Sequence, residues 1–146
     1  MNNKKSLFTY FKEAFTKNYA NFKGRARRRE YWGFFIFSLP ITITANFATT
    51  KIGEIICFII LLAIFLPAIS LEVRRLHDIN KSGWFALYHF LTLIPVIGEW
   101  LSIIITITLG CISGTQGANR FGEDPLLENQ NLSIAQPQSQ TNNYNI

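Results

Sequence analysis

Arg74-Arg75-Leu76-His77-Asp78-Ile79-Asn80-Lys81-Ser82-Gly83-Trp84 is the stretch on which the reading of this chain turns. It is a dense cluster of ionisable side chains in the middle of the protein, with long apolar runs on both sides. Ile55 to Leu71 carries no charge, and Trp84 to Trp100 carries only Glu99. The pattern predicts a short polar turn pinned between two membrane-embedded segments. A span needs about 20 apolar residues to cross about 30 Å of hydrocarbon, and the flanking runs have that length.

Outward from the turn, composition points the same way. Charged residues make up 16% of the 146 residues, well below the roughly 25% of soluble domains. The charge is also unevenly placed. Residues 1–30 hold nine of the fourteen Lys and Arg, while Tyr31 to Thr50 has no charge. The first apolar run begins only at Tyr31, behind thirty largely polar residues, so no secretory signal peptide is expected. Cys57 and Cys111 lie in apolar runs without CxxC spacing, and are expected as small buried hydrophobes rather than a disulfide or metal pair.

The expected organisation is all-α and polytopic, with about four membrane segments, two of them short. Residues 1–30 form a cytoplasmic amphipathic and basic segment, and 31–112 the helical membrane domain. A polar Gly-rich loop covers 113–127, and 128–146 is a disordered tail rich in Asn, Gln and Ser. Leu7, Phe8, Phe11, Ala14, Phe15, Tyr19 and Phe22 mark a helical stripe. A basic, aromatic-rich helix of this kind lies in the membrane interface or packs on the other helices. The spans are placed at about Tyr31–Ala48, with Pro40 inside, and about Glu54–Leu71. Thr42, Thr44 and Asn46 are expected to bond a neighbouring helix. Trp84–Ile112 is too long for one span, and Pro95-Val96-Ile97-Gly98 breaks it. A hairpin of two short segments puts Glu99 at an interface; a single kinked helix would bury it at a cost of a few kcal/mol.

Two basic clusters orient the chain. Arg25, Arg27, Arg28 and Arg29 precede the first span, and Arg74, Arg75 and Lys81 follow the second. Both belong on the cytoplasmic side. Nucleic acid is discounted as a partner, because a basic run joined to a span is first a topology signal. The expected partners are the bilayer, anionic phospholipids, and a second copy or another membrane protein.

Few constellations could carry chemistry. His77 and Asp78 could be a metal site or an acid–base pair, but each needs more groups than the chain offers. No nucleophile motif, P-loop or dinucleotide fingerprint is present, and no cofactor or metal is expected. Local structure is the plainer reading: Arg74 and Asp78 are four apart and can pair on one helix face. A binding reading uses Arg25, Arg27, Arg28, Arg74, Arg75, His77, Asp78, Lys81, Asn119 and Arg120 for an anionic headgroup or ligand, since arginine forks suit phosphate. Alternatively, Asp78 and Glu30 pair with these arginines and tie the segments together. Glu54 and Glu99 are candidate intramembrane carboxylates, but both lie near predicted turns.

Four blocks in order resemble a known family. They are Phe22-Lys23-Gly24-Arg25-Ala26-Arg27-Arg28 with Glu30-Tyr31-Trp32, and Arg74-Arg75-Leu76-His77-Asp78 with Lys81-Ser82-Gly83-Trp84. Ile94-Pro95 with Gly98 follows, then Gly114-Thr115 with Gly117, Asn119, Phe121, Gly122, Asp124 and Pro125. From about Phe8 to Pro125 the chain resembles the small bacterial inner-membrane proteins of the YhaH type, the domain of unknown function 805 family. Ser113 departs from the proline expected in many relatives. The resemblance implies a helical inner-membrane protein and no known activity. In the hairpin topology it also implies that the three polar blocks, residues 22–32, 74–84 and 114–125, share one cytoplasmic surface. The expected function is a noncatalytic binding or interaction module, with a small transporter or channel subunit, or an enzyme acting on lipid headgroups, as alternatives.

Overall fold

The structure is a computed structural model that describes residues 5–45, 47 and 49–127. The tail expected to be disordered, Asn46 and Ala48 lie outside these residues. Helix α1 is Leu7–Thr16, α2 is Arg28–Ala45, α3 is Lys51–Asp78 and α4 is Ile97–Cys111; a 3-10 segment, Gly83–Leu93, lies between α3 and α4. The fold is all-helical, and the ends of its helices follow from local chemistry. Ser6 caps α1 by accepting the Thr9 N–H at 3.1 Å. Thr50 caps α3 by accepting the Gly53 N–H at 3.1 Å. Such caps satisfy amide groups that the helix itself leaves unpaired.

The molecule is apolar outside and polar within. Phe58, Ile59, Leu62 and Phe65 of α3 are each more than half exposed, as are Ile104 and Trp100 of α4. Arg75, Glu72 and Ser70 are fully buried. Water would penalise this distribution, and lipid favours it. Among the described residues α3 is the helix long and apolar enough to cross a membrane, and 11% of its most apolar window is buried. The core helix of a soluble protein would be mostly buried. This is a helical membrane protein.

Helix α3 runs further than the charge pattern predicts. Its 28 residues reach roughly 42 Å at about 1.5 Å per residue, beyond the hydrocarbon thickness. Arg74 to Asp78 are therefore its last turns rather than a turn between spans. The chain reverses at Ile79–Ser82 instead. Asn80 adopts φ 57, its N–H donates to His77 O at 3.0 Å, and the Lys81 N–H donates to Leu76 O at 2.8 Å. This paired return is the Schellman arrangement, with Asn in the left-handed position.

The run after Trp84 breaks where expected, and its halves pack side by side. Val96 turns tightly at φ 65, with the Ile97 N–H donating to Pro95 O at 2.7 Å. The first half is 3-10 rather than α-helical. Eleven residues at about 2.0 Å rise span roughly 22 Å, matching roughly 22 Å for the fifteen residues of α4. The tighter winding lets the shorter half run alongside the longer one. Glu99 is exposed in the first turn of α4 and Glu54 is exposed in the first turn of α3, both next to turns.

Helix α1 packs on α2. Tyr10 and Ala14 are buried, and Phe11 and Phe15 sit against Phe34, with ring centroids 6.0 Å apart in each case. A Cβ on Gly33 would stand 2.8 Å from Leu7 O. Glycine lets these two helices touch. Three local expectations change. Thr42 and Thr44 donate to Leu39 O and Ile41 O of their own helix. Cys111 is exposed and Cys57 half-buried, because in this inside-out fold apolar runs face outward.

Candidate functional site

Asp78, the last residue of α3, organises one end of the molecule. Its Oδ1 accepts from Arg25 Nε at 3.0 Å, and its Oδ2 accepts from Arg75 Nη1. All three side chains are buried. Arg25 also donates to Gly117 O at 2.6 Å and to Thr115 O. Arg75 also donates to Leu109 O at 2.9 Å and to Ile112 O. The Asp78 carbonyl accepts both the N–H and the hydroxyl of Thr115, at 2.8 and 3.0 Å. Ala26 N–H donates to Arg74 O at 3.0 Å, and Asn119 Nδ2 to His77 O at 2.9 Å. The three polar blocks thus meet through α3.

Buried charges are tolerated when paired and hydrogen-bonded, and Arg25 and Arg75 meet that condition. Their forks are filled by Asp78 and by carbonyls. Asp78 pairs with Arg75, three residues earlier, and with Arg25. Arg74 turns to Glu30 instead, with Nη1 2.5 Å from Oε1. Two segments are tied together by each carboxylate. Arg74 Nε and Nη2 are buried without a hydrogen-bond partner among the described residues.

The other candidate residues lie around this lock. His77 Nδ1 is 3.2 Å from Gly24 O, so His77 and Asp78, adjacent in the chain, are not partners. The His77 ring stacks on Phe121, with centroids 3.8 Å apart and planes at 5°. Arg120 lies over Phe121 at 4.7 Å and donates to Asn80 O at 3.1 Å. Lys81 is exposed and Arg27 half-buried. Asp124 holds the last loop by accepting from Gly117 N at 3.0 Å and Leu126 N at 2.9 Å. Burial raises the pKa of its carboxyl. Those two amides, with Arg25 and Arg27, outweigh burial and hold it below the usual carboxylate value.

Arg28 and Arg29 open onto a shallow cleft of about 370 Å³, lined also by Leu7, Trp32, Gly110 and Cys111. Trp32 Nε1 donates to Gly110 O at 3.1 Å, and a Cβ on Gly110 would stand 2.7 Å from the indole. Glycine therefore brings α4 onto the tryptophan that floors the cleft. Arg28 donates to Cys111 O and Arg29 to Lys5 O, both at 3.4 Å. These are long bonds, whereas Arg25 makes one bond of that length, to Gly122 O, beside its shorter ones to Asp78, Gly117 and Thr115.

A second polar cluster escaped the reading of the sequence. Glu72 is fully buried, facing Tyr31, Tyr88 and His89 from two other elements. The signal was present as Glu72 beside an apolar run and His89 inside another. Neither residue has a charged neighbour in the chain to mark it.

The model of the family described as a protein of unknown function, DUF805, matches residues 19–123. This chain belongs to that family. The matched region takes in the Asp78 lock, both arginines of the cleft and the Glu72 cluster. Among DUF805 relatives, the chain is 43% identical over 119 residues to the inner membrane protein YhaH of Escherichia coli K12, covering 77% of this chain and 93% of the relative. It is 41% identical over 112 residues to the inner membrane protein YhaI of the same organism, covering 75% and 89%. The uncharacterized protein YiiR of that organism is 27% identical over 127 residues, covering 71% and 85%. No solved structure matches. The family and the apolar exterior together make this DUF805 chain an integral inner-membrane protein.

Proposed function

We propose that the protein is a noncatalytic, membrane-embedded binding module whose basic end lies at the cytoplasmic surface and takes anionic phospholipid headgroups. The observation that carries this reading is the cleft at Arg28 and Arg29. Two guanidinium groups with long, weak internal bonds stand over an apolar floor of Trp32 and Leu7. A phosphate suits the arginine forks, and an acyl chain suits the floor. Arg25 and Arg75 serve the opposite purpose, holding the three polar blocks together beneath the cleft.

Charge placement supports the orientation. Among the described Lys and Arg residues, Lys51, the first residue of α3, is the one next to the turn between α2 and α3. The other described ones belong to segments on the Asp78 side of the two spans. The cytoplasmic excess of Lys and Arg in membrane proteins then puts that side inside the cell, with an even number of crossings.

Native mass spectrometry from nanodiscs of mixed phosphatidylglycerol and phosphatidylcholine tests the proposal. Each arginine near an anionic surface contributes about 1 kcal/mol. Removing both in Arg28→Ala/Arg29→Ala is expected to weaken phosphatidylglycerol retention on the order of thirtyfold. Retention equal to that of the unmodified protein would refute it.

A further inference from the structure

Arg28 and Arg29 are consecutive residues in the first turn of α2, yet their guanidiniums rest on different walls of the cleft. Successive side chains on an α-helix point about 100° apart. Arg28 Nη1 leans on Cys111 O at the end of α4, and Arg29 Nη2 leans on Lys5 O ahead of α1. Trp32 stands four residues after Arg28, on the same helix face. Its indole is fixed as the floor by the bond to Gly110 O.

The charge in the cleft is unanswered. Glu30, in the same turn, pairs with Arg74, and Glu13 of α1 pairs with Lys5 and Lys17. Asp78 is shared by Arg25 and Arg75. Among the described residues no acidic side chain lines the cleft. Both arginines are exposed, and the N-terminal end of α2 adds its own attraction for anions. Two positive charges therefore stand apart over one apolar floor.

We infer, on the reading of this cleft as a headgroup site, that its ligand is a phospholipid with two phosphates joined by a short linker, a diphosphatidylglycerol, with one phosphate at each arginine. A single phosphate fills one fork while the arginines keep their separate walls. Two phosphates in one molecule fill both. Once the first is seated, the second binds at the high effective concentration set by its tether. Selectivity then follows from the separation of the arginines and requires no further contact. The floor separates a lipid from a free diphosphate, since Trp32 and Leu7 offer apolar surface that acyl chains can cover and an ion cannot.

Native mass spectrometry of the full protein tests this, from nanodiscs holding diphosphatidylglycerol and phosphatidylglycerol at equal phosphate in phosphatidylcholine. The unmodified protein is expected to retain diphosphatidylglycerol at least about tenfold over phosphatidylglycerol. Arg28→Ala and Arg29→Ala, made singly, should each bring that ratio close to one, because either change leaves one phosphate anchor. A ratio that stays high in both single variants would trace the preference to the additional acyl chains and overturn the inference. Equal retention of the two lipids by the unmodified protein would overturn it as well. If phosphatidylglycerol retention still fell in the double variant, the headgroup reading would survive that result; if neither lipid responded to the double variant, both would fall. Millimolar inorganic diphosphate should leave the lipid bound. Its complete displacement would assign the cleft to a soluble anion and overturn the inference.

Discussion

Asp78→Ala is expected to cost about 3–5 kcal/mol, the range for removing one partner of a buried ion pair. Asp78 is the carboxylate between two buried guanidiniums, Arg25 and Arg75. Its removal leaves two cations facing each other out of contact with water, joined only to carbonyl dipoles. Against a total stability of roughly 5–15 kcal/mol, the loss is a large fraction. It should show as a lowered melting temperature in nanodiscs and as proteolysis within Gly114–Pro125, which the lock holds against α3. Asp78→Asn should behave similarly, because it keeps the shape but not the charge. A normal melting temperature in both variants would mean that the two arginines are not held as described.

Gly98→Ala is the second large effect. A Cβ at this position would stand 1.6 Å from Leu91 O and 2.6 Å from Leu91 C. Both are backbone atoms, so no side-chain rotation relieves the overlap, and the 3-10 segment and α4 must part. Overpacking costs about 1–3 kcal/mol and occasionally more; a backbone clash belongs at the upper end. The hairpin also carries Tyr88, His89 and Thr106 into the Glu72 cluster. The variant should therefore lose thermal stability and disturb the 15N signals of His89 together. Wild-type melting and signals would contradict the side-by-side packing of the two halves.

What the sequence showed and hid has a physical explanation. Break signals are local, so the interruption at Pro95 to Gly98 was readable. The convergence of the first two polar blocks was readable from the charge asymmetry about the spans, and that of the third only from the family resemblance together with the hairpin. The depth of the arginines was not. In a fold with its polar groups inside, Arg75 and Glu72 are core residues, whereas charge alone reads them as surface. The choice between Arg74 and Arg75 as partner of Asp78 depends on rotation about α3. Spacings of three and four are equally good on a helix face, and only packing decides. The 3-10 winding of Gly83–Leu93 was equally silent, because large apolar side chains recur along the whole run and leave no periodic face to read.

The central claim is that the three polar blocks meet at one end of the membrane domain, at the cytoplasmic surface. Cysteine labelling in intact cells and inverted vesicles tests it directly, with Cys57 and Cys111 replaced by Ser. Lys23→Cys lies just before α2, and Glu123→Cys lies in the loop after α4; both positions are exposed. The account predicts that an impermeant reagent reaches both from the cytoplasmic face and neither from the periplasm. Labelling of the two positions from opposite faces would contradict it.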